Sequence, residues 1–443
     1  QVVWISLLEI RGFFSTLNFK GGLCIYKHMA ITIQHQPDNS YVYPAYAPIE
    51  YLLSSDNTAE SGFKIICKVF YEPTSLLVST QQINIRPSST QAILSIQDVV
   101  KSFLTSQYSL LDGDSVGIQN YSLTAFNVTF QEYYDGALQG QVEISDSLYA
   151  NNASPKYIQF ASNHWQEYQL SNTQQQKLLL SNFNNNKIQD TYFSATFSGS
   201  DNWLKVKEDQ KLQIQWIQRS STASFMVELL TIGADFGTIS VSILNNPNTT
   251  EGQYSLDVGR QEVTSHAWDN APNFTNAKYY AICFSSSGAA PFSSKRYLYE
   301  IDNCDTNYTN YELHYLNRWG GFDSFVFDGK STETTNVDKT FAKHSTDRIN
   351  GTSLQYTTSA QRTRAFNTSV RESYSLNSRL LSDFESDGLE DLISSPEVYW
   401  NSPDGFVNVN VQGTTYERKR SENGKVFSLA LTMTVDNSDK RQW

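Results

Sequence analysis

Methionine, cysteine and charge are all scarce in this chain, and each scarcity excludes something. Its four cysteines, Cys24, Cys67, Cys283 and Cys304, form no C-x-x-C pair. The usual spacing of a zinc site is therefore missing. A Cys283–Cys304 disulfide is open on spacing alone, and Cys67, inside the apolar run Phe63–Phe70, reads as a small buried thiol. No stretch reaches the length of about 18 uninterrupted apolar residues that a spanning helix needs. His35, His164, His266, His314 and His344 are dispersed, with no H-E-x-x-H run. There is no glycine-rich phosphate loop. No cofactor or metal is expected. Charged residues make up only 18% of the chain, and Lys and Arg (33) are outnumbered by Asp and Glu (45). A net charge of −12 repels phosphate backbones, so nucleic acid is not an expected partner. The short basic runs, Arg418–Arg420 and Lys440–Arg441, read as solvated strand edges.

What fills the space is Ser, Thr, Asn and Gln together with 26 tyrosines and 25 phenylalanines. Aromatic and β-branched residues favour strands. The fold class expected is mainly β, in several sandwich-like modules, and 443 residues suit about three of them. The centre of the pattern is Tyr311–Phe327, YELHYLNRWGGFDSFVF. Tyr311, Leu313 and Tyr315 alternate with polar residues, Asn317–Gly321 supplies a turn, and an aromatic strand follows. The two glycines of the turn suit positive φ.

Residues 1–28 lack a starting Met and interrupt their apolar run with Glu9 and Arg11. They are expected to form an extension outside the fold. Residues 29–150 read as an N-terminal β domain with one helix, capped by Ser95 with Asp98 as capping-box partner. Residues 151–300 give strands at 8–12-residue spacing, the pattern of a β-sandwich. Residues 301–443 form a C-terminal β domain with a second helix, capped by Ser382 with Glu385 and stopped at Pro396. A polar loop is expected after Phe327, and Asn423-Gly424 signals a hairpin over Thr414–Val435.

Five segments carry a resemblance: Ser54–Phe70, Ile93–Leu104, Tyr311–Ser331, Leu376–Trp400 and Thr414–Gln442. In this order they resemble a family of proteins encoded by tailed bacteriophages and prophages of Bacteroidetes-type hosts. Asn151–Phe284 resembles that family least. The resemblance implies a non-enzymatic virion protein of the phage tail or its tip, with other tail proteins as partners. Uncovered sheet edges in the terminal domains add the expectation of a symmetric homo-oligomer.

Two alternatives belong to other classes. A carbohydrate-binding adhesin would use Trp268, in the loop SHAWDNAP, or Trp319, in the hairpin turn, to stack on host surface glycans. Both rings could equally plug the ends of a sandwich. A polysaccharide depolymerase would need two carboxylates about 5–10 Å apart. Asp302 with Asp305, or Glu385 with Glu390, are the pairs available, though a turn and a helix cap explain them as well.

Overall fold

The computed structural model describes residues 31–441 with internal gaps, of which 162–176, 186–196 and 413–427 are the longest. Residues 1–28, the Asn423-Gly424 turn and the Arg418–Arg420 run lie outside the described residues. The chain is mainly β, in several sheets. Among the described residues no helix is long and apolar enough to cross a membrane.

The N-terminal module is a sandwich. Thr32–His35, Glu50–Ser54 and Gln91–Ser95 make a three-stranded sheet. Lys64–Tyr71 and Leu123–Tyr134 centre a six-stranded one, with Leu76–Ile83 at its edge. Side chains alternate across a strand. Tyr51 and Leu53, Ala92 and Leu94, Ile65, Cys67 and Val69, and Phe126, Val128 and Phe130 thereby fill one core. Burial pushes the Cys67 thiol up to about 12, so it is an inert packing group. Helix α1, Gln97–Lys101, closes this core through Val100. Its N-cap is Ile96, without a side-chain cap, because Ser95 is spent as the last residue of a strand. A second short helix, α2 (Tyr157–Ala161), was not legible in the sequence.

The expected division at residue 300 does not coincide with a break in the packing. One cluster runs from Phe183 to Met433 and joins the middle sheets to the C-terminal one. The middle region also borrows Gly117–Gln119, which pairs with Gly252–Asp257. The strand Gly252–Asp257 and its neighbour Gln213–Gln218 are buried along their whole length.

The C-terminal sheet has eight strands. Tyr311–Leu316 and Phe322–Phe327 form the expected hairpin, and all residues of both strands are buried. Helix α3, Asp383–Ser394, has the expected capping box: Ser382 Oγ accepts from the Glu385 N–H while Glu385 Oε2 accepts from the Ser382 N–H. The expected polar loop after Phe327 is instead a strand, Thr332–Lys343, antiparallel to Thr363–Asn377. All twelve of its residues are exposed. Alternation in TETTNVDKTFAK is invisible to a hydrophobic count because neither face is apolar throughout. We call this ribbon the arm.

Candidate functional site: a polar joint at the Asn317–Gly321 turn

The turn expected at Asn317–Gly321 is the place where three parts of the chain meet. Asn317 organises it. Its Oδ1 accepts the N–H groups of Trp319 (2.9 Å) and Gly321 (3.2 Å). Its Nδ2 donates to the Leu180 carbonyl and to Asp323 Oδ2, both at 2.9 Å. Ser181 Oγ donates to the other oxygen of Asp323. Gly320 takes φ +84°, as a turn glycine should. Gly321 does not; it is required because a Cβ there would lie 2.3 Å from the Leu180 carbonyl oxygen.

Beneath the turn lies a row of buried amides. Gln253 Nε2 donates to the Gly320 carbonyl at 3.1 Å, and Gln215 Oε1 accepts the Phe322 N–H at 3.1 Å. Gln213 Nε2 donates to Asp257 Oδ1 at 2.8 Å. From the N-terminal side, Asn151 Nδ2 donates to the Trp319 carbonyl at 2.8 Å. The Ser154 N–H donates to the Arg318 carbonyl at 2.7 Å. From α3, Asp391 receives Arg318, and Glu390 is paired with both Arg318 and Lys156. The donors of this network are matched, while Asn151 Oδ1 and Gln253 Oε1 are buried without a hydrogen-bond partner among the described residues.

A second set of groups lies along the hairpin. Glu312 Oε1 is 2.7 Å from His314 Nε2, and His314 Nδ1 is 2.8 Å from the Tyr108 hydroxyl. The order hydroxyl, imidazole, carboxylate is that of a catalytic relay. Here the electrostatics run the other way. Burial foremost, then the charge of Glu312, hold the Tyr108 proton on well above the ordinary phenol range. With Nε2 donating to Glu312 and Nδ1 accepting from Tyr108, one tautomer of His314 satisfies all three groups. The arrangement latches Tyr108 onto the C-terminal sheet, where it also stacks on Tyr399.

The residues singled out in the sequence fall differently. Trp319 is 1% exposed and packs with Val42, Leu180 and Ile217. Trp268 is 9% exposed, and its Nε1 donates to the Val263 carbonyl at 2.6 Å. Both rings are buried in hydrophobic clusters. Asp302 pairs with Lys207 at 2.9 Å, and Asp305 lies outside the described residues. Glu385 is held by its cap and by Arg379 at 2.7 Å, and Glu390 by two cations. The carboxylates proposed for hydrolysis and described here are thus engaged in ion pairs. Cys283 is buried and Cys304 exposed, and neither is in a disulfide.

Sequence reasoning missed Gln213, Gln215, Gln253, Asn151 and Ser181. Gln213 and Gln215 alternate with Leu212, Ile214 and Trp216, which is the signature of a strand with one wet face. The signal was present, but it pointed to solvent rather than to a buried polar partner.

No family model matches the chain, and no curated protein matches it. Among solved structures, trypsin-activated alpha-2-macroglobulin from Escherichia coli aligns over 91% of this chain and 21% of its own length. The identity is 8% and the TM-score 0.19, a likeness too low to carry fold or function.

Proposed function

We propose that this chain is a non-enzymatic virion protein, a component of a phage tail or tail tip that works by assembling into a symmetric homo-oligomer. The observation that carries the reading is the arm. Its Thr332–Lys343 strand is solvent-exposed on both faces over twelve residues, a span of about 40 Å at 3.4 Å per residue. Its outer end, Thr340–Lys343 against Thr363–Asn367, has only these two strands among the described residues, and a two-stranded ribbon is marginally stable in water. This one also holds Val337, Phe341 and Phe366 in solvent. Such a ribbon gains most when a neighbour covers it, and interlocking projections of this kind suit a subunit of a larger particle.

The rest of the molecule supports the same reading. The joint at Asn317–Gly321 ties N-terminal, middle and C-terminal segments into one network, which suits a part that transmits load. The described carboxylates that could have served hydrolysis are tied up in ion pairs, and the tryptophans that could have served glycan binding are covered. The resemblance to tailed-phage proteins points the same way.

The test is mass spectrometry of purified phage particles from a host carrying this gene, with copy number measured. Presence at a ring-like multiple supports the proposal. Absence from intact particles overturns it.

A further inference from the structure

We propose that the outer half of the arm docks on a second copy of this chain, against the Ala137–Ile144 strand of the neighbour's N-terminal module. The inference rests on the oligomer reading above and adds to it the contact and its partner.

Three observations on the two surfaces converge. The first is edge geometry. Thr332–Lys343 pairs only with Thr363–Asn377, and Ala137–Ile144 only with Leu123–Tyr134, among the described residues. Each strand therefore has one free backbone edge, and free edges pair with other chains unless blocked.

The second is apolar surface. Leu138, Val142 and Ile144 are exposed, and Leu138 and Ile144 stand on one face, opposite Tyr133 and Thr129 of the neighbouring strand. Ile144 is 63% exposed. The arm presents Val337, Phe341 and Phe366 in turn. Phe366 is the extra residue of a β-bulge, because Thr340 faces Asn367 while Phe341 faces Ala365. Bulges re-aim side chains, and this one sets an aromatic ring apart from the ladder.

The third is charge. The outer arm carries Lys339, Lys343 and Arg364 against a single carboxylate, Asp338, on a chain whose net charge is −12. Residues 102–155 contain no Lys or Arg at all, and Asp135, Glu143 and Asp146 flank or occupy the exposed strand. A basic arm on an acidic chain meets its complement on another copy of that chain. The arm's exposure along its length means that its own body does not supply the contact. An arm-to-body contact is heterologous, and a heterologous contact that closes makes a ring.

The experiment is a charge swap in the full chain, read by analytical ultracentrifugation with melting temperature as a folding control. Lys339→Glu/Lys343→Glu/Arg364→Glu and, separately, Glu143→Lys/Asp146→Lys should each weaken self-association at least about tenfold, the effect of roughly one lost charge pair. Both sets together in one chain should restore the wild-type assembly. A wild-type chain that stays monomeric overturns the inference, as do single sets that assemble normally or a combined chain that fails to recover. These outcomes are separable from the virion reading. Rescue by the swap in a protein absent from particles would keep the contact and remove the virion role. Presence in particles with no effect of the swap would do the reverse.

Discussion

Arg318 grips Asp391 with both its backbone and its side chain. The Arg318 N–H donates to Asp391 Oδ2 at 2.9 Å, and its Nε donates to Oδ1 at 2.7 Å. The pair fastens the hairpin turn to α3 where little water reaches, since the Asp391 side chain is 3% exposed.

Removing one partner of a buried pair costs about 3–5 kcal/mol when the other charge is left unpaired. Arg318 keeps Glu390 at 3.3 Å, so Asp391→Ala is expected to lose stability in urea denaturation by less than that range. Arg318→Ala combined with Asp391→Ala should cost less than the two single losses added. Strict additivity would mean that the two residues do not act as a unit.

Gly388 makes a prediction against helix propensity. It lies inside α3, where Gly→Ala ordinarily stabilises by about 1 kcal/mol. A Cβ there would lie 2.2 Å from the Phe183 ring, which is itself locked in the main core. Overpacking of this kind costs about 1–3 kcal/mol. Gly388→Ala should therefore lower the melting temperature. Gly388→Ala paired with Phe183→Leu should recover part of the loss, because the smaller side chain yields the space. A higher melting temperature for the single variant would show that α3 stands further from Phe183.

The pH dependence has two opposing limbs. Burial alone would raise Asp302, but the hydrogen bond and charge of Lys207 bring it below its ordinary 3.8. Burial also opposes ionisation of Glu390, and Lys156 and Arg318 bring that group below 4.5. Both bind fewer protons folded than unfolded. Their contribution is complete above the unfolded values and is lost as pH falls through the folded ones. Glu397 and Glu262 are shifted the other way, chiefly by burial, and lie above 4.5. They bind more protons folded than unfolded, so acidification through their folded values adds stability. Urea midpoints should rise slightly as pH drops from neutrality into the mildly acidic range, then fall below about pH 4. Asp302→Asn should flatten the fall, and Glu397→Gln the rise. A midpoint that declines steadily from neutrality in both variants would contradict the assignment.

Much of this architecture follows from local chemistry that a sequence carries in itself. Alternation in Lys64–Tyr71 and Leu123–Tyr134 made strands because one face of each needed burial. The box Ser382–Glu385 started α3 because two neighbouring groups satisfy each other's backbone. The hairpin at Tyr311–Phe327 formed where its aromatics and its Asn-Arg-Trp-Gly-Gly turn said it would. In each case the partner lies within a few residues or is simply the exclusion of water.

Tertiary structure decided what polar residues do when their partners are far away in the chain. Gln215 and Gln253 became the bed of a buried turn. Ser95 looked like a cap and was taken by a strand. Gly321 looked like a residue chosen for its φ and was chosen for the approach of the Leu180 carbonyl. Trp268 and Trp319 offered a sandwich plug or a sugar platform in the sequence, and the packing encloses both. Thr332–Lys343, too polar to declare itself, became a strand only because Thr363–Asn377 lay alongside. Hydrophobic periodicity records whether a side chain leaves water. It cannot record which distant donor or acceptor replaces the water, and at this joint that replacement settles the structure.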